Sequence, residues 1–303
     1  MDSGNYRELI SSWQLAMHAA GKAEGTQDGY TRYARQYADW CDAQGVEPDL
    51  TAPRTAVAWL ASLRDEGQAG STRQVKFGGL RAFAKWLAAE GEIERFGLSG
   101  IEWPKADETI PHAVTADDVE AMCATCDRKA FTGIRDEAIM RLLYDSMVRS
   151  DELLAMRRRT AAYAGDVDLR RGIVHVQRGK GGKERWAPFG AGTATALDRY
   201  ERHRKGHKRQ QLDAYWLSRG RGPMRYQTLY SMIKMRGERA GVENVHPHAE
   251  RAGGSIAWRR AGGTTESLMT INGWTDPKMA MRYTRAAEQQ IALEEAERLY
   301  QGR

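Results

Sequence analysis

The segment GIRDEAIMRLLYDSMVRSDELLAMRRR, residues 133–159, combines a strong helical pattern with a single interruption. Its apolar residues recur at helical spacing, and the pattern breaks near Asp145 and Ser146 before it resumes. Arg149 follows the break directly, and Glu152 lies one helical turn further along. The segment therefore predicts two consecutive helices whose junction presents a guanidinium and a carboxylate where packing does not require them.

The character of the sequence changes after this helical region. Residues 172–190, GIVHVQRGKGGKERWAPFG, contain an alternating run, a glycine-rich turn and a second run that ends at Pro188. This pattern predicts a β-hairpin whose turn presents Lys180 between glycines. The turn also resembles part of a phosphate-binding loop, but that motif requires Ser or Thr after the lysine, and Gly181 stands there.

The first hundred residues predict a small helical domain. Large residues recur at helical spacing over residues 26–45, from a predicted N-cap at Thr26 to Gly45. Two more helical patterns follow, one with Thr51 as its predicted cap and one over residues 71–91. The exposed side of the last helix would carry a row of basic residues, namely Arg73, Lys76, Arg81 and Lys85.

A segment without periodicity separates this region from the rest of the chain. Because it is charged and bounded by prolines, residues 104–113 are predicted to be a linker. The linker divides an N-terminal domain, residues 1–103, from a larger domain, residues 114–303. The larger domain opens with Thr115 and Asp118, whose spacing resembles a helix capping box.

The charge of the chain is unevenly distributed. Net charge is +6, and residues 157–225 hold 18 Lys or Arg against 6 Asp or Glu. Such a concentration suits a polyanion such as DNA, although a solvated surface explains charge alone equally well. The chain has no run of 18 apolar residues and no signal-peptide core near its start, so we expect a cytoplasmic or nucleoid protein without a membrane span.

Two later segments carry further polar side chains in helical patterns. Residues 246–258, HPHAERAGGSIAW, place His248 and Arg251 three residues apart, on one face of a helical turn. Residues 272–285, NGWTDPKMAMRYTR, supply Trp274 and, nine residues later, Tyr283. With the junction arginine and the hairpin lysine, these segments offer two guanidiniums, an ammonium, an imidazole, an indole N–H and a phenol.

This set of groups suits chemistry on a phosphodiester. Two guanidiniums can hold the phosphate and stabilise the charge that develops on its oxygens. A phenol has a reference pKa near 10, so it needs nearby cations and an imidazole to attack phosphorus. An ammonium on the hairpin can protonate the departing 5′-oxygen. We expect no metal and no cofactor, because the cations do the electrostatic work and we find no carboxylate cluster that suits Mg²⁺.

In order and spacing, the four segments resemble the tyrosine recombinases, also called phage-type integrases. The family patterns TGLRxSE, GKGxKxR, HxLRH, and GH or GW followed nine residues later by Tyr stand here as SMVRSDE, GKGGKER, HAERA and GWTDPKMAMRY. The resemblance extends from about residue 20 to residue 290. It implies a mainly α fold with a small antiparallel β-sheet, in which a helical, SAM-like core-binding domain precedes a tyrosine-recombinase catalytic domain.

The resemblance also assigns roles to residues. It implies a catalytic set of six: Arg149, Lys180, His248, Arg251, Trp274 and Tyr283. In this family the arginines hold the scissile phosphate, the lysine is the general acid, and the histidine assists proton transfer. The indole donates a hydrogen bond to the phosphate, the phenol is the nucleophile, and Glu152 would orient Arg149. A second set is expected to contact DNA: Arg73, Lys76, Arg81, Lys183 and Arg185.

The chain departs from the family patterns at four places. Met147 stands for the glycine of TGLR, Glu250 for the leucine of HxLRH, and Ala252 for the final histidine of that box. Trp274 replaces the later histidine, as it does in Cre recombinase, which the last two segments resemble. Helical spacing predicts that Glu250 points away from Arg251, where it would not compete with phosphate.

Each candidate residue also has an ordinary structural interpretation. Tyr283 could be a helix-surface residue and Trp274 a core residue, while the basic residues near position 76 could simply be solvated. His246 and His248 could suggest a metal pair, but no third ligand is apparent. Cys123 and Cys126 form a CxxC without the second pair that a zinc site needs, so we interpret them as helix residues.

The function that the resemblance implies is site-specific recombination of double-stranded DNA, through a 3′-phosphotyrosine and a Holliday junction, without metal or ATP. The chain would bind double-stranded DNA and assemble with further copies of itself into a homotetramer on two DNA sites. An accessory directionality factor is a further candidate partner. The C-terminal segment 286–300 would dock on a neighbouring protomer through one apolar face, comprising Ile291, Ala292, Ala296 and Leu299. A type IB topoisomerase, a telomere resolvase and a non-catalytic DNA-binding regulator remain alternatives.

Overall fold

The computed structural model describes residues 3–106, 112–177, 184–220 and 222–301. The chain divides into two units, Met1–Thr109 and Ile110–Arg303, each with a hydrophobic core of its own. The division falls within the segment that the sequence predicts to be a linker. Lys180 and Lys183 lie outside the described residues, as does the turn of the predicted hairpin.

The N-terminal unit is helical, and its described helices are α1 (Ser3–Ala19), α2 (Glu24–Gln44), α3 (Pro53–Asp65) and α4 (Gly70–Ala89). Helix α1 was not among the individual helices that the sequence predicted, although the whole region was expected to be helical. Its apolar positions recur at helical spacing and are buried, namely Tyr6, Ile10, Trp13 and Met17. Aromatic rings fill the core, with Phe83 in contact with Tyr6 at 5.1 Å and with Trp13 at 4.9 Å between ring centroids.

Two predicted helix starts in this unit are wrong. Helix α2 begins at Glu24, so Thr26 lies inside its first turn, and Thr31 rather than Thr26 is buried against the core. Helix α3 has Ala52 rather than Thr51 as its N-cap and begins with Pro53, whose fixed φ suits the first helical position. The predicted end of α2 is confirmed, because Gly45 caps it in the left-handed conformation at φ 65°.

The row of basic residues predicted on α4 is only partly present. The Arg81 guanidinium lies against the rings of Phe77, Phe96 and Trp103, at 5.1 to 5.5 Å from their centroids, and donates a hydrogen bond to the Leu98 carbonyl. Arg81 therefore packs within the unit rather than standing free for DNA. Arg73 and Lys76 are half-buried and Lys85 is exposed, so these three retain access to solvent.

The C-terminal unit surrounds a small sheet with helices. Its described helices are α5 (Ala116–Ala124), α6 (Phe131–Ser146), α7 (Ser150–Ala155), α8 (Ala191–Arg204), α9 (Tyr226–Ala240), α10 (Pro247–Arg260), α11 (Thr265–Asn272) and α12 (Pro277–Gln301). The strands β1 (Val167–Asp168), β2 (Ile173–Val176) and β3 (Arg185–Pro188) form an antiparallel sheet in the order β1-β2-β3. The predicted hairpin corresponds to β2 and β3, whereas β1 was not predicted.

Helix α6 is the centre of this unit. It is buried along most of its length and packs against α8 and α10. The predicted break is confirmed, because α6 ends at Ser146 and Met147 adopts a left-handed conformation at φ 53°. A residue with a side chain pays roughly 1–2 kcal/mol for that conformation, so the surrounding packing must hold Met147 there. The turn brings Arg149 to the N-cap of α7.

Helix α8 is shorter than its sequence predicts. The helical pattern continues to residue 211, but the helix ends at Arg204. The buried guanidinium of Arg204 donates hydrogen bonds to four carbonyl groups of the following segment, those of Gln210, Leu212, Ala214 and Tyr215. These bonds fold the chain back around Arg204, and this tertiary interaction overrides the local helical preference.

Buried ion pairs join the helices of this unit. Asp136 accepts hydrogen bonds from Arg135 on the same helix and from Arg236 on α9. The Arg236 guanidinium also donates a hydrogen bond to the Thr125 carbonyl, so a carboxylate and a carbonyl together satisfy this buried charge. Such pairs fix the register of helices, because removal of one partner would leave the other charge buried without compensation. No helix in the described residues combines the length and apolar character that a membrane span requires.

The predicted capping box at the start of α5 provides a test of this fold. The Thr115 hydroxyl accepts a hydrogen bond from the Asp118 amide at 3.1 Å, and the Asp118 carboxylate accepts one from the Thr115 amide at 2.8 Å. We expect Thr115→Ala to lower the free energy of unfolding by about 1 kcal/mol, because the Asp118 amide loses the hydroxyl that accepts its hydrogen bond. Urea denaturation measures the change. Thr115→Ser keeps the hydroxyl and should remain close to wild type; equal loss in both variants would contradict the capping role.

Candidate active site

The structure brings five of the six predicted catalytic residues together in the C-terminal unit. Tyr283 on α12 is in hydrogen-bond contact with His248 on α10 and in ring contact with Trp274, which follows α11. Arg251 lies beside that indole, and Arg149 is close enough to act electrostatically on Tyr283. The sixth residue, Lys180, lies outside the described residues, so its place relative to the others remains a prediction.

Tyr283 is held on two sides by aromatic rings. Its hydroxyl lies 2.8 Å from His248 Nε2, with the two rings nearly perpendicular at 64°. Its ring stacks on Trp274 at 4.9 Å and 17°, so the nine-residue separation in sequence becomes a direct contact. The phenol ring is buried, and it lies in the first two turns of α12, which continues to Gln301. This packing fixes the direction in which the hydroxyl points.

The protonation states around Tyr283 follow from burial and neighbouring charge. Burial raises the pKa of the Tyr283 phenol, and the cations Arg251, Arg282 and Arg149 oppose that shift. Burial also lowers the pKa of His248, and the same arginines lower it further. At neutral pH the phenol therefore keeps its proton, and its O–H group donates a hydrogen bond to Nε2 of the neutral imidazole. This is the arrangement that a general base needs in order to remove the proton during attack.

Arg251 is a charged group in the protein interior. Its side chain is only 2% exposed, and it donates hydrogen bonds to the Met147 carbonyl and, at 2.9 Å, to the Asn272 carbonyl. Burial, followed by repulsion from Arg149, lowers its pKa to about 9, which leaves it protonated at neutral pH. Its described hydrogen-bond partners are neutral carbonyl groups, so its positive charge is available to an anion.

Arg149 and Arg185 share a single carboxylate. Glu152 Oε1 accepts hydrogen bonds from Arg149 Nη1 at 2.9 Å and Arg185 Nη1 at 2.8 Å. Glu152 Oε2 accepts from the Arg149 amide at 2.7 Å and from Arg185 Nη2 at 2.6 Å. Burial alone would raise the pKa of Glu152, but hydrogen bonds from Arg185 and the Arg149 amide lower it to about 2. The carboxylate is thus ionised at any physiological pH.

Arg185 does not occupy the DNA-facing position that was expected of it. Its side chain is 8% exposed, and its guanidinium is bound by Glu152 and by the Ile271 carbonyl at 2.7 Å. Strand alternation gave the signal that was missed, because Arg185 shares the inner face of β3 with the buried Ala187, while Trp186 faces outward. Charge alone suggested a surface contact. Lys183, the other hairpin residue expected to bind DNA, lies outside the described residues.

Met147, one of the departures from the family pattern, is held by contacts with α10 and the end of α11. The side chain of Met147 occupies space beside Gly254, where an added Cβ would lie 2.9 Å from Met147 Cγ. Its sulfur accepts hydrogen bonds from Ser255 Oγ and Asn272 Nδ2, each at 3.5 Å. These contacts anchor the strained Met147 backbone, whose carbonyl in turn binds Arg251. The sequence shows Met147 as a departure from the family pattern, but Gly254 and Asn272 are more than 100 residues away in the chain, so their contacts with it leave no local signal.

Glu250, the least expected of the departures, is fully buried at 0% exposure. Neither of its carboxyl oxygens has a hydrogen-bond partner among the described residues, and Arg251 is therefore not paired with it there. Burial raises the pKa of Glu250 well above its ordinary value. The side chain is thus held in its neutral form and does not compete with a phosphate for Arg251.

The described residues offer no cluster of metal-binding side chains, and their cysteines are buried. Within the described ranges, no group of three or more His, Cys, Asp or Glu side chains is arranged to hold a metal ion. Cys123 and Cys126 are buried and free, and burial raises the pKa of both thiols. Their interpretation as packing residues agrees with this placement.

Comparison with known proteins places the chain among DNA-processing enzymes. The sequence model described as Phage integrase family matches residues 112–290, which is more than half of the chain. The chain belongs to the phage integrase family. The model described as Phage integrase, N-terminal SAM-like domain matches residues 9–91 of this integrase, and so confirms the predicted class of its first domain.

Relatives of this integrase include several Xer recombinases. Tyrosine recombinase XerD of Listeria monocytogenes serotype 4b (strain F2365) is 26% identical over 270 residues, which cover 87% of this chain and 89% of the relative. Tyrosine recombinase XerC of Xanthomonas campestris pv. campestris (strain B100) is 27% identical over 269 residues, covering 88% and 80%. The XerH site-specific recombinase, solved as a post-cleavage complex with its palindromic difH substrate, shares the fold with a TM-score of 0.74 at 16% identity, covering 99% and 85%.

The buried carboxyl of Glu250 predicts a pH-dependent stability for this integrase. In the folded protein its pKa is raised, so the folded state keeps a proton that the unfolded chain releases above about pH 4.3. The stabilising effect of that proton is complete below pH 4.3 and is lost as the pH rises towards the folded pKa. We therefore expect wild type to lose stability relative to Glu250→Gln as the pH rises from 4 to 8.

Urea unfolding of wild type and Glu250→Gln from pH 4 to 8 measures the difference between their free energies of unfolding. The contributions of other titrating groups are the same in both proteins and cancel in this difference. We also expect Glu250→Leu to raise the free energy of unfolding at pH 7 by about 1–3 kcal/mol, because an unpartnered polar group leaves the core. A difference between wild type and Glu250→Gln that stays constant with pH would show that Glu250 is not held neutral.

Proposed function

We propose that this chain is a tyrosine-type site-specific DNA recombinase, which cuts and rejoins duplex DNA through a 3′-phosphotyrosine intermediate. The observation that carries the proposal is the contact between the Tyr283 hydroxyl and His248 Nε2 beside a buried, charged Arg251. A phenol, a neutral imidazole and a buried, protonated guanidinium within one site are groups that suit phosphoryl transfer to tyrosine.

Phosphate binding is the first step that the geometry supports. Arg251 is buried and held by carbonyl groups, while the Arg149 side chain keeps 30% of its surface exposed on the same site. Two guanidiniums can donate to the non-bridging oxygens of a phosphodiester and stabilise the charge that accumulates there during attack. The Trp274 indole, which borders both Arg251 and Tyr283, is proposed to donate a further hydrogen bond.

The nucleophilic step then follows from the contact between Tyr283 and His248. As the phenol oxygen forms its bond to phosphorus, its proton passes to His248 Nε2, and the bond from phosphorus to the 5′-oxygen breaks. The 5′-oxygen leaves as a hydroxyl after it accepts a proton, for which Lys180 is the proposed donor. The products are a 3′-phosphotyrosine and a free 5′-hydroxyl.

Rejoining reverses these steps with a different strand. The phosphotyrosine keeps the energy of the original phosphodiester, so a 5′-hydroxyl from a partner duplex can displace Tyr283 without ATP. In each step, Arg149 and Arg251 are proposed to stabilise the negative charge that develops on the phosphate oxygens. Exchange of one strand pair and then the other proceeds through a Holliday junction.

Double-stranded DNA is the partner that the relatives support. The Tn1549 transposon integrase structure, which has a TM-score of 0.73, is described as a complex with transposon right end DNA, and the XerH structure as bound to its palindromic difH substrate. The basic region 157–225 of this chain supplies the corresponding charge. Arg73 and Lys76 on α4 remain proposed DNA contacts, since both keep access to solvent.

The C-terminal half of α12 is proposed to join protomers into a tetramer on two DNA sites. Leu293, Ala296 and Tyr300 recur at helical spacing, and Leu299 lies beside them. Leu293, Leu299 and Tyr300 are 56%, 73% and 70% exposed, so their apolar surface is mostly uncovered within the chain. The side chain of Ile291, which belongs to the predicted face, lies outside the described side chains. A second copy of the chain is the proposed occupant.

The nucleophile can be tested with a nicked DNA site that traps the covalent intermediate. We expect wild type to form an adduct that survives a denaturing gel, with the protein on the 3′ side of the break. Tyr283→Phe should reduce adduct formation by at least about 10³-fold, because no other group replaces the attacking oxygen. Tyr230→Phe, at an exposed tyrosine on α9, is the matched control and should react like wild type.

Two outcomes would count against this assignment. An adduct that persists in Tyr283→Phe would show that another residue attacks the DNA. Relaxation of supercoiled DNA at undefined positions, or formation of hairpin ends, would indicate a topoisomerase or a telomere resolvase instead of a recombinase.

The docking role of α12 can be separated from cleavage. We expect Leu299→Glu and Tyr300→Glu to weaken assembly of two DNA sites at least about tenfold, because each large apolar side chain contributes roughly 1.5–3 kcal/mol when buried. Cleavage of a single nicked site should persist. Glu297→Lys, at an exposed position of the same turn, is the control. Native gels with labelled sites measure assembly; unchanged assembly in the apolar-face variants would contradict docking.

A further inference from the structure

Arg185 connects three parts of the candidate site that are distant in sequence. It lies on β3, yet its guanidinium binds Glu152 on α7 through both terminal nitrogens, at 2.8 Å and 2.6 Å. Its Nε donates at 2.7 Å to the carbonyl of Ile271, near the end of α11. Three of its five N–H donors are therefore used within the protein, and the side chain is only 8% exposed.

The sheet places Arg185 at this position. In the β2–β3 pair, Arg185 lies opposite Val176, and both side chains face the inner side of the sheet with Ala187. An apolar residue would be the usual occupant of such a position. An arginine stays charged when it is enclosed by a carboxylate and a carbonyl, so it can link elements that no apolar side chain could hold in register.

At the Glu152 end, Arg185 completes the coordination of the carboxylate. Each Glu152 oxygen accepts one hydrogen bond from Arg149 and one from Arg185, so the plane of the carboxylate is fixed. Sharing has an electrostatic consequence as well. Because one negative charge serves two guanidiniums, Arg149 is only partly neutralised and keeps positive charge for a phosphate.

At the α11 end, Arg185 lies against the backbone that supports Arg251 and Trp274. Gly273 caps α11 at φ 66°, and a Cβ at that position would lie 3.2 Å from Arg185 Cδ. The Asn272 carbonyl, between Ile271 and Gly273, accepts a hydrogen bond from Arg251. Arg185 thus fixes the segment that leads into Trp274, and Gly273 provides the close approach that this requires.

We infer that Arg185 is a positioning residue that sets the geometry of Arg149 through Glu152, and of Arg251 and Trp274 through the end of α11. This inference rests on the proposed recombinase function, since it concerns the same site. It assigns Arg185 no contact with DNA. Its effect is on the rate at which a bound phosphate is attacked, and not on the affinity for DNA.

Single-turnover cleavage of a nicked site at saturating protein tests this inference. We expect Arg185→Lys to slow cleavage roughly 10-fold and Arg185→Met about 100-fold, because small displacements of positioning groups cost rates of this order. The lysine variant retains a charge but not the planar fork. The dissociation constant for uncleaved DNA should stay within about twofold of wild type, and its salt dependence should not change.

A matched control separates positioning from loss of fold. Arg236 is also buried and binds one carboxylate and one backbone carbonyl, but it joins α9 to α6 through Asp136, away from the candidate site. Arg236→Lys should lower the melting temperature without a change in the cleavage rate of the folded protein. If Arg236→Lys slows cleavage as much as Arg185→Lys does, Arg185 acts only through stability and the inference fails.

The pH profile gives a readout that a purely structural role would not move. Without Arg185, the pKa of Glu152 should rise from its value of about 2. The rate of Arg185→Met relative to wild type should therefore fall as the pH is lowered from 7 to 5, because a protonated Glu152 no longer holds Arg149 by a negative charge. In a Glu152→Gln background, Arg185→Met should cause a smaller loss than it does in wild type, because only its effect through the end of α11 remains.

Three results would overturn the inference. One is a weaker affinity of the Arg185 variants for DNA with a salt dependence reduced by about 0.9, which would identify a phosphate contact. Another is additive loss in the double variant with Glu152→Gln, and the third is a wild-type cleavage rate in Arg185→Met. Failure of the proposed function is distinguishable, because wild type itself would then form no adduct.

Discussion

The burial of a charged guanidinium is the constraint on which the rest of the C-terminal unit depends. Arg251 is almost entirely removed from solvent, and its described hydrogen-bond partners are the carbonyls of Met147 and Asn272. Both carbonyls lie at helix C-termini. There the last backbone carbonyls have no intrahelical partner, and the helix dipole places a partial negative charge. The left-handed residues Met147 and Gly273 end α6 and α11 at these points. The two helix ends thus form a neutral cradle for a cation.

The same helix holds neighbouring residues in opposite electrostatic states. Arg251 remains charged because two helix ends and the carboxylate of Glu152 act on it, although burial lowers its pKa. Glu250 has no such partner among the described residues, so burial raises its pKa and it stays neutral. A carboxylate at that position would cancel the charge offered to a phosphate. Keeping it protonated lets the site remain positive despite the acidic side chain.

Much of the site could be predicted from the sequence because its chemistry lies in short local patterns. The break after α6, the hairpin and the segments that carry Arg149, His248, Arg251, Trp274 and Tyr283 all follow from spacing within a few residues. What could not be predicted depends on partners distant in sequence. Arg185 is 33 residues from Glu152 and 86 from Ile271, and charge alone suggested that it faced DNA. Arg81 was misjudged for the same reason, since tertiary contacts rather than local pattern decide where an arginine points.

The contact between Tyr283 and His248 also indicates which protomer of an assembly would supply the two groups to a given phosphate. The phenol reaches the imidazole of its own chain, and its ring stacks on the indole of its own chain. If Tyr283 and His248 act as proposed, a protomer would bring its own nucleophile and base to a bound phosphate. In the proposed assembly, the order in which strands are cut would then depend on which protomers are active at a given moment.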